Sequence, residues 1–255
     1  MRGAGQIAEL ARIAEPDVGV LTNIAPVHLE LLGSIEAIAA EKASLIGALR
    51  PGAVAIVPRD EPLLDPYLRA DLDTVRFGPG DDLGDLQIPF SSAYMRVNAS
   101  AARHAARAVG VEPHGLVEVA LSAMRGERIT LPGGVTIVND CYNANPMAMR
   151  AALDDLASAA PGRRVAVLGD MLELGPDEER YHREVGAYAR DRGVDVLVAV
   201  GPRSAAMAGD HHVADAGEAA RLLPGLLEDG DTVLVKASRG VGLELVAETL
   251  TKQRA

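Results

Sequence analysis

The chain has 255 residues, a formal net charge of −11 and 48% hydrophobic residues, which excludes a disordered or collagen-like polypeptide. No run reaches the roughly 18–20 apolar residues of a membrane span, and the acidic balance argues against binding to nucleic acid or to an anionic membrane. The single cysteine, Cys141, excludes an internal disulfide framework and a cysteine-based zinc cluster. The opening residues lack the apolar core of a signal peptide, which predicts a cytoplasmic protein.

In chain order, short β-branched runs alternate with longer amphipathic stretches. The predicted strands cover residues 18–22, 53–57, 164–169, 196–201 and 232–237. The predicted helices cover residues 34–49, 147–159, 177–192, 215–227 and 243–250. Near-continuous apolar strands between helices are typical of a parallel sheet that is covered on both faces. The predicted fold class is therefore doubly wound α/β.

The remaining segments suggest where the chain divides. The sequence LPGGV predicts a hairpin between strands at residues 129–131 and 135–138. Residues 77–92, rich in Gly, Pro and Asp, predict a loop, and two helices are predicted after it, over residues 96–109 and 113–123. We therefore expect a domain boundary near residues 124–128. We also expect the C-terminal part to fold alone and a protease to cut first within the predicted loop.

Four polar segments each follow a predicted strand: TNIAPVHLE (22–30), NDCYNANP (139–146), LGDMLELG (168–175) and KASRG (236–240). The carboxyl ends of parallel strands share one edge of a sheet, where open α/β folds bind ligands. Simpler roles are open for each: His28 as an ordinary hydrogen-bonded histidine, the asparagines as turn residues, and Asp170 with Glu173 as helix caps. The glycines of SRGVGLE fit either an anion-binding turn or a plain strand-to-helix turn.

The segments TNIAPVHLE, DCYNANPMAMRAAL, VAVLGDMLELG, HREVG and VKASRG, in this order, resemble the Mur ligase family over nearly the whole chain. YNANP followed by LGDMLELG resembles the branch that joins D-alanyl-D-alanine to UDP-N-acetylmuramoyl-tripeptide in peptidoglycan synthesis. The resemblance implies a ligase that uses ATP and Mg²⁺ and forms an acyl phosphate on the tripeptide carboxylate. It also implies a partial parallel-sheet ATPase domain over residues 1–125 and a Rossmann-like C-terminal domain over residues 126–255.

The same likeness implies roles for individual residues. His28 matches the family's magnesium-binding histidine, and Lys42 matches the lysine that is carbamoylated and supports a second magnesium ion, so we expect the two side chains to lie close together. The residues that match the nucleotide side are Asn23, Asn98, Arg125 and Asp140. Those that match the substrate side are Asn143, Asn145, Asp170, Lys236 and Ser238. We expect Asn143, Asp170 and Lys236 to form one pocket, which suits a zwitterionic dipeptide such as D-alanyl-D-alanine.

The sequence also departs from the family. It holds no Gly-Lys pair, so the Gly-Lys-Thr phosphate loop is not among these residues, and Tyr94, Met124 and Ala237 replace an expected His, Gly and Gly. A second interpretation therefore stays open: a truncated or split chain that binds peptide or nucleotide without ligating, with a missing N-terminal half supplied by a partner. We expect the isolated chain to bind ATP weakly without hydrolysing it. YNANP disfavours ligation onto glutamate of the folylpolyglutamate type.

Overall fold

The computed structural model describes residues 3–27, 29–89, 92–119 and 122–254. The chain divides into two compact units, Met1–Ala120 and Leu121–Ala255, which we call unit 1 and unit 2. The division lies a few residues before the boundary that the sequence predicts. Among the described residues, no helix is both long enough and apolar enough to cross a membrane.

Unit 1 is built on a three-stranded parallel sheet. Its elements are α1 (Gln6–Ala14), β1 (Val18–Val20), α2 (Leu29–Leu32), α3 (Ile35–Ala48), β2 (Val54–Pro58), β3 (Asp73–Phe77), β4 (Leu86–Gln87), α4 (Ala93–Ala108) and β5 (Gly115–Leu116). The strand order is β1-β2-β3, and both pairings are parallel, while β4 and β5 form a separate two-stranded pair. The predicted parallel α/β class is thus confirmed for this unit.

Apolar side chains of β2 alternate between two packed layers. Ala55 and Val57 pack on the side of α3, whereas Ile56 packs with Phe77 and Ala101. Ser34 caps α3 because its hydroxyl oxygen accepts the backbone N–H of Ala37 at 3.1 Å. These contacts fix α3 against the sheet and hence fix Lys42 near the end of β1.

Asp81, in the segment that follows β3, joins three parts of unit 1 by hydrogen bonds. The carboxylate of Asp81 accepts hydrogen bonds from the Gly78 N–H at 2.8 Å, the Ser100 hydroxyl at 2.6 Å and the Arg59 guanidinium at 2.6 Å. Burial alone would raise the pKa of Asp81, but the bonds from Ser100, Gly78 and Arg59 outweigh it and lower the pKa to about 2. The predicted first protease cut within residues 77–92 stays a prediction.

The predicted helix over residues 113–123 is wrong. Its described residues, 113–119 and 122–123, are not helical, and Gly115–Leu116 pairs with β4 as a short parallel strand. Gly115 has φ of +71°, in the left-handed region that only glycine enters without strain. A single residue of that kind interrupts a right-handed helix, which the apolar periodicity alone could not reveal.

Unit 2 contains a six-stranded sheet with helices on both faces. Its elements are β6 (Glu127–Thr130), β7 (Thr136–Asn139), α5 (Pro146–Ala159), β8 (Arg164–Gly169), α6 (Glu178–Asp191), β9 (Val196–Val200), β10 (His211–Val213), α7 (Ala216–Leu222), β11 (Thr232–Lys236) and α8 (Glu244–Arg254). The order is β10-β9-β8-β11-β7-β6, with every pairing parallel except the antiparallel β6–β7 hairpin. The predicted hairpin and Rossmann-like sheet are confirmed.

The central strands of unit 2 are buried on both faces. Along β8, Val165 and Val167 belong to one core cluster, whereas Ala166 and Leu168 belong to the other. Helices α7 and α8 cover the first face, and α5 and α6 cover the second. Strand order reverses between β8 and β11, so the loops after these strands lie at the switch point where such sheets bind ligands.

Candidate functional site

Lys236, the last residue of β11, lies buried beneath the loop that follows β7. Its side chain is 3% exposed, and its Nζ donates to Asp140 Oδ2 at 2.5 Å. The same ammonium group donates to the carbonyl oxygens of Asn143 at 3.0 Å and Asp140 at 3.4 Å. Two of the predicted site residues are thus joined directly to Lys236, one through its carboxylate and one through its backbone.

Ser238 connects the loops that follow three different strands. Its hydroxyl oxygen accepts the Leu172 N–H at 2.9 Å, and the hydroxyl lies 3.4 Å from the carbonyl oxygen of Ala144, to which it donates. Its own N–H donates to the carbonyl oxygen of Asp170 at 3.0 Å. The loops after β7, β8 and β11 are therefore held together at the switch point, as the sequence predicts for a shared edge.

The two asparagines of the YNANP segment differ in what they do. Asn145 caps α5, because its Oδ1 accepts the Ala148 N–H at 2.9 Å, and Pro146 follows at the first helical position. Asn143 is exposed, and its Oδ1 lies 2.9 Å from the N–H of Ala144. Turn and cap chemistry thus accounts for Asn145, whereas Asn143 keeps an exposed amide.

Asp170 does not point toward Lys236. Its buried carboxylate accepts the Ser204 N–H at 2.7 Å and lies 3.8 Å from the guanidinium of Arg203, both in the loop after β9. The expected three-residue pocket is therefore corrected in one respect: Lys236 and Asn143 are brought together, while the carboxylate of Asp170 supports a neighbouring loop. A substrate-binding role for Asp170 stays a prediction.

Arg125 and Tyr142 form a stacked pair beside this loop. The Arg125 guanidinium carbon lies 3.8 Å from the centroid of the Tyr142 ring, a cation–π contact. The Tyr142 N–H donates to the carbonyl oxygen of Met124 at 3.1 Å. Sequence reasoning missed Tyr142, although an aromatic residue within the polar segment NDCYNANP of a chain with 3% aromatics is a signal that could have found it.

His182, in α6, forms a hydrogen bond to the backbone of the loop that follows β8. Its Nε2 accepts the N–H of Met171 at 2.9 Å, and its Nδ1 lies 2.7 Å from the carbonyl oxygen of Glu178. Because a backbone N–H can only donate and a carbonyl can only accept, both contacts require the neutral ring with its proton on Nδ1. Burial lowers the pKa of His182, and the bond to the Glu178 carbonyl only partly opposes this.

The lowered pKa of His182 predicts a pH-dependent stability. Below pH 6.5, the ordinary histidine value, the unfolded chain takes up a proton that the folded ring resists. The contribution of His182 to the free energy of unfolding should therefore be complete above about pH 6.5. Below that pH the free energy of unfolding should decrease, with a slope of up to about 1.4 kcal/mol per pH unit. Urea unfolding followed by circular dichroism between pH 5 and 8 measures this. His182→Gln should flatten the fall, whereas His114→Gln, at an exposed histidine, should leave it in place.

In unit 1, Lys42 contacts the loop that follows β1. Its Nζ donates to the carbonyl oxygen of Asn23 at 2.8 Å and lies 3.5 Å from Asn23 Oδ1. Burial lowers the pKa of Lys42, and the charge of Glu61 partly opposes the shift. His28, the expected neighbour of Lys42, lies outside the described residues, so their proximity stays a prediction. Asn98 is half-buried in α4, where its amide nitrogen lies 4.0 Å from Met95 Sδ.

Glu41, the residue before Lys42, was not singled out by the sequence. Its buried carboxylate accepts the N–H of Gly5 at 2.7 Å and that of Ile7 at 2.9 Å. A carboxylate at this place satisfies free N–H groups at the start of α1 and compensates the helix dipole. The segment GAGQIA (residues 3–8) therefore contains the start of a helix, with α1 beginning at Gln6.

Comparison with known proteins decides the family. A model of the Mur ligase middle domain matches residues 1–105, and a model of the glutamate ligase domain of Mur ligases matches residues 124–239. The chain belongs to the Mur ligase family. The UDP-N-acetylmuramoyl-tripeptide–D-alanyl-D-alanine ligase of Bacillus subtilis (strain 168) is 34% identical to this Mur ligase chain over 285 residues, covering 98% of it and 62% of the relative.

Solved structures agree with this family. The MurF ligase from Thermotoga maritima in complex with ADP superposes with a TM-score of 0.86 at 28% identity, covering 99% of this chain and 66% of that one. A bifunctional folylpolyglutamate synthase/dihydrofolate synthase from Yersinia pestis, complexed with AMPPNP and Mn ion, has a TM-score of 0.65 at 23% identity over 93% of this chain and 62% of its own. The latter shows the shared fold alone. The chain spans about three-fifths of the length of the curated relatives that it matches.

Two positions at which the sequence departs from the Mur ligase family, Met124 and Ala237, have unusual local geometry. Met124, which replaces a glycine, has φ of +61°, a left-handed conformation that is strained for a residue with a Cβ. Ala237, which replaces another glycine, packs so closely that a Cβ on Gly169 would lie 2.7 Å from the Ala237 Cβ. In the glycine turn of SRGVGLE, the N–H groups of Val241 and Gly242 donate to the backbone carbonyl oxygens of Ser238 and Arg239, so these two N–H groups already have partners within the turn.

The groups around Lys42 in unit 1 bear on whether this chain can hold a divalent cation. Among the described residues, no three His, Cys, Asp or Glu side chains are grouped to bind a metal ion. Lys42 Nζ nevertheless faces the carbonyl and amide oxygens of Asn23, and a carbamate there would add a further oxygen donor. Oxygen atoms are the ligands that Mg²⁺ and Mn²⁺ prefer, so the donor chemistry around Lys42 fits such an ion.

Proposed function

We propose that this chain carries the ligase machinery that joins D-alanyl-D-alanine to UDP-N-acetylmuramoyl-tripeptide in peptidoglycan synthesis, with ATP as the energy source. The observation that carries the proposal is the match to the Bacillus subtilis relative of that name over 98% of the chain. The arrangement of the loops after β7, β8 and β11 supports it, since the segments most specific to this branch meet at one sheet edge.

The chemistry is a two-step amide synthesis. The tripeptide carboxylate attacks the γ-phosphorus of ATP, which forms an acyl phosphate and releases ADP. The amine of D-alanyl-D-alanine then attacks the acyl carbon and loses a proton, and inorganic phosphate leaves from the tetrahedral intermediate. Positioning two substrates and the nucleotide supplies much of the rate enhancement in such reactions.

Unit 2 supplies groups on both sides of this reaction. We assign Arg125 and Asp140 to the nucleotide side, where the exposed Arg125–Tyr142 stack offers a cation and a flat aromatic face. We assign the exposed amide of Asn143 to the substrate side, where it can both donate to and accept from a peptide group. Asn145 and Ser238 act by holding the loops in which these groups lie.

We infer that Mg²⁺ is the divalent cation and that His28 and a carbamate on Lys42 would hold it. When bound, the ion neutralises phosphate charge and polarises the phosphoryl group. The residues of this chain prepare its site: α3 places Lys42 against the end of β1, and the oxygens of Asn23 orient its amine. Asn23 and Asn98 are the further nucleotide-side residues of this proposal, and a cytoplasmic location stays a prediction.

Carbamate formation on Lys42 is directly testable. The amine forms a C–N bond to CO₂ and releases one proton, so it reacts only when neutral, which its lowered pKa favours. With ¹³C-bicarbonate near pH 8, we expect a carbamate resonance from Lys42 in the ¹³C spectrum, in addition to the one that a neutral N-terminal amine forms. The chain has only three lysines, so variants assign the Lys42 resonance: Lys42→Arg should remove it, and Lys252→Arg, at an exposed lysine, should keep it. A carbamate spectrum that Lys42→Arg leaves unchanged contradicts the assignment.

The ligase proposal is tested by restoring the segment that this chain does not span. The part of the Bacillus subtilis relative that precedes its match is fused ahead of this chain and supplied with ATP, Mg²⁺, the tripeptide nucleotide and D-alanyl-D-alanine. We expect ADP and pentapeptide product from the fusion, and only weak ATP binding without hydrolysis from the chain alone. A fusion that binds both substrates without forming product would support the non-catalytic alternative, and ligation of glutamate instead would support the folylpolyglutamate type.

A further inference from the structure

The ammonium group of Lys236 is fully used within unit 2. It has three N–H donors, and the structure offers three acceptors: Asp140 Oδ2 at 2.5 Å, Asn143 O at 3.0 Å and Asp140 O at 3.4 Å. Only 3% of the side chain is exposed. A substrate carboxylate could reach Nζ only by displacing one of these three acceptors, because no donor of the ammonium group is left over.

Asp140, unlike Lys236, is partly accessible to solvent. A quarter of its side chain remains exposed, while Oδ2 is bound from below by Lys236. Tyr142, which stacks with Arg125, lies on the same loop two residues further along. The buried Lys236 ammonium group therefore fixes the position of the Asp140 carboxylate, which stays partly exposed to solvent.

We propose that Lys236 is a positioning residue that acts through Asp140 on the nucleotide side, and that it does not bind the dipeptide. The inference rests on the proposed function, because that function assigns Asp140 to the nucleotide. Lys236 fixes the carboxylate through Oδ2 and fixes the loop backbone through two carbonyl oxygens. It does so from a strand that lies 96 residues further along the chain than Asp140.

Ser238 offers a matched comparison in the same strand-end segment. Its hydroxyl bonds the Leu172 N–H in the loop after β8, whereas Lys236 bonds the loop after β7. Lys236→Met should therefore speed hydrogen exchange at the Tyr142 amide, and Ser238→Ala should speed it at the Leu172 amide. Val185→Ala, a core truncation within α6, gives the exchange pattern of a general loss of stability.

The deciding experiment titrates ADP and D-alanyl-D-alanine separately into the full chain, with binding followed by NMR. For Lys236→Met we expect the Kd for ADP to rise about tenfold or more, as for loss of a charge-assisted hydrogen bond, with dipeptide binding unchanged. Asp140→Asn should give a similar rise, and the double variant should add little, because both act through one pair.

The outcomes separate this inference from the proposed function. Weaker dipeptide binding with unchanged ADP binding in Lys236→Met would overturn the positioning role. So would a Tyr142 amide that exchanges as in the wild type. If the wild-type chain fails to bind ADP at all, the assignment of Arg125 and Asp140 to the nucleotide side is contradicted, and the Tyr142 exchange result alone then decides whether Lys236 positions the loop.

Discussion

Replacing Gly186 by alanine should destabilise unit 2 by about 3 kcal/mol or more, in the range of severe overpacking. Gly186 lies in α6, where a Cβ would sit 2.0 Å from the carbonyl oxygen of Met207 and 2.6 Å from its Cα. These are backbone atoms, so no change of rotamer can relieve the clash, and the helix must move away from the turn that contains Ser204–Met207. Urea unfolding followed by circular dichroism at 222 nm measures the loss.

Gly225→Ala is the matched control for this substitution. It lies in the same unit, and a Cβ there meets no atom within 4 Å. We expect its free energy of unfolding to stay within about 1 kcal/mol of the wild type. A Gly186→Ala protein as stable as the Gly225→Ala protein would show that α6 and the Ser204–Met207 turn are not in close contact in solution.

Replacing Asp81 by alanine should destabilise unit 1 by about 2 kcal/mol, because it leaves the Ser100 hydroxyl and the Gly78 N–H without their acceptor. The effect should depend on pH. The pKa of Asp81 is lowered to about 2 in the folded chain, so its contribution is full above the unfolded value near 4 and is lost as the pH falls toward 2. The difference between wild type and variant should therefore shrink between pH 5 and pH 2.

Two further variants sharpen this measurement. Asp81→Asn keeps the size of the side chain but removes the charge, so it should lose part of the stability and most of its pH dependence. Asp85→Ala changes an exposed aspartate of the same segment and should alter stability by less than about 0.5 kcal/mol. An Asp81→Ala difference that stays constant from pH 5 to pH 2 would refute the assignment of this carboxylate.

Elements with a local signal could be predicted from the sequence. The strand at residues 164–169 could be predicted with the bounds that the structure has, because its last five residues, VAVLG, are buried and form a continuous run without a polar side chain. Strands β3 and β10 escaped prediction because DTVRF and HHV lack such a run and exist only by pairing with a neighbour. The helix prediction at residues 113–123 was wrong for a related reason. The composition of this segment favours a helix, but the positive φ of Gly115 is incompatible with one.

In the candidate site, too, the position of the loops could be predicted, whereas the contacts of individual side chains could not. The shared sheet edge followed from strand–helix alternation, so the meeting of the loops near Asp140, Asn143 and Ser238 could be expected. The direction of each side chain could not. Asp170 follows its strand directly, yet its carboxylate bonds Ser204, which lies 34 residues away in the chain. Such partners are set by packing between distant segments.

The state of Cys141 has a practical consequence for labelling. Its side chain is 1% exposed, its thiol donates to the carbonyl oxygen of Val235 at 3.3 Å, and burial raises its pKa to about 12. Maleimides react with accessible thiolate, so the native chain should take up almost no dye while folded. A cysteine introduced at exposed Glu228 would then carry the only fluorophore, with no need to remove the natural thiol from the loop that holds Asp140 and Tyr142.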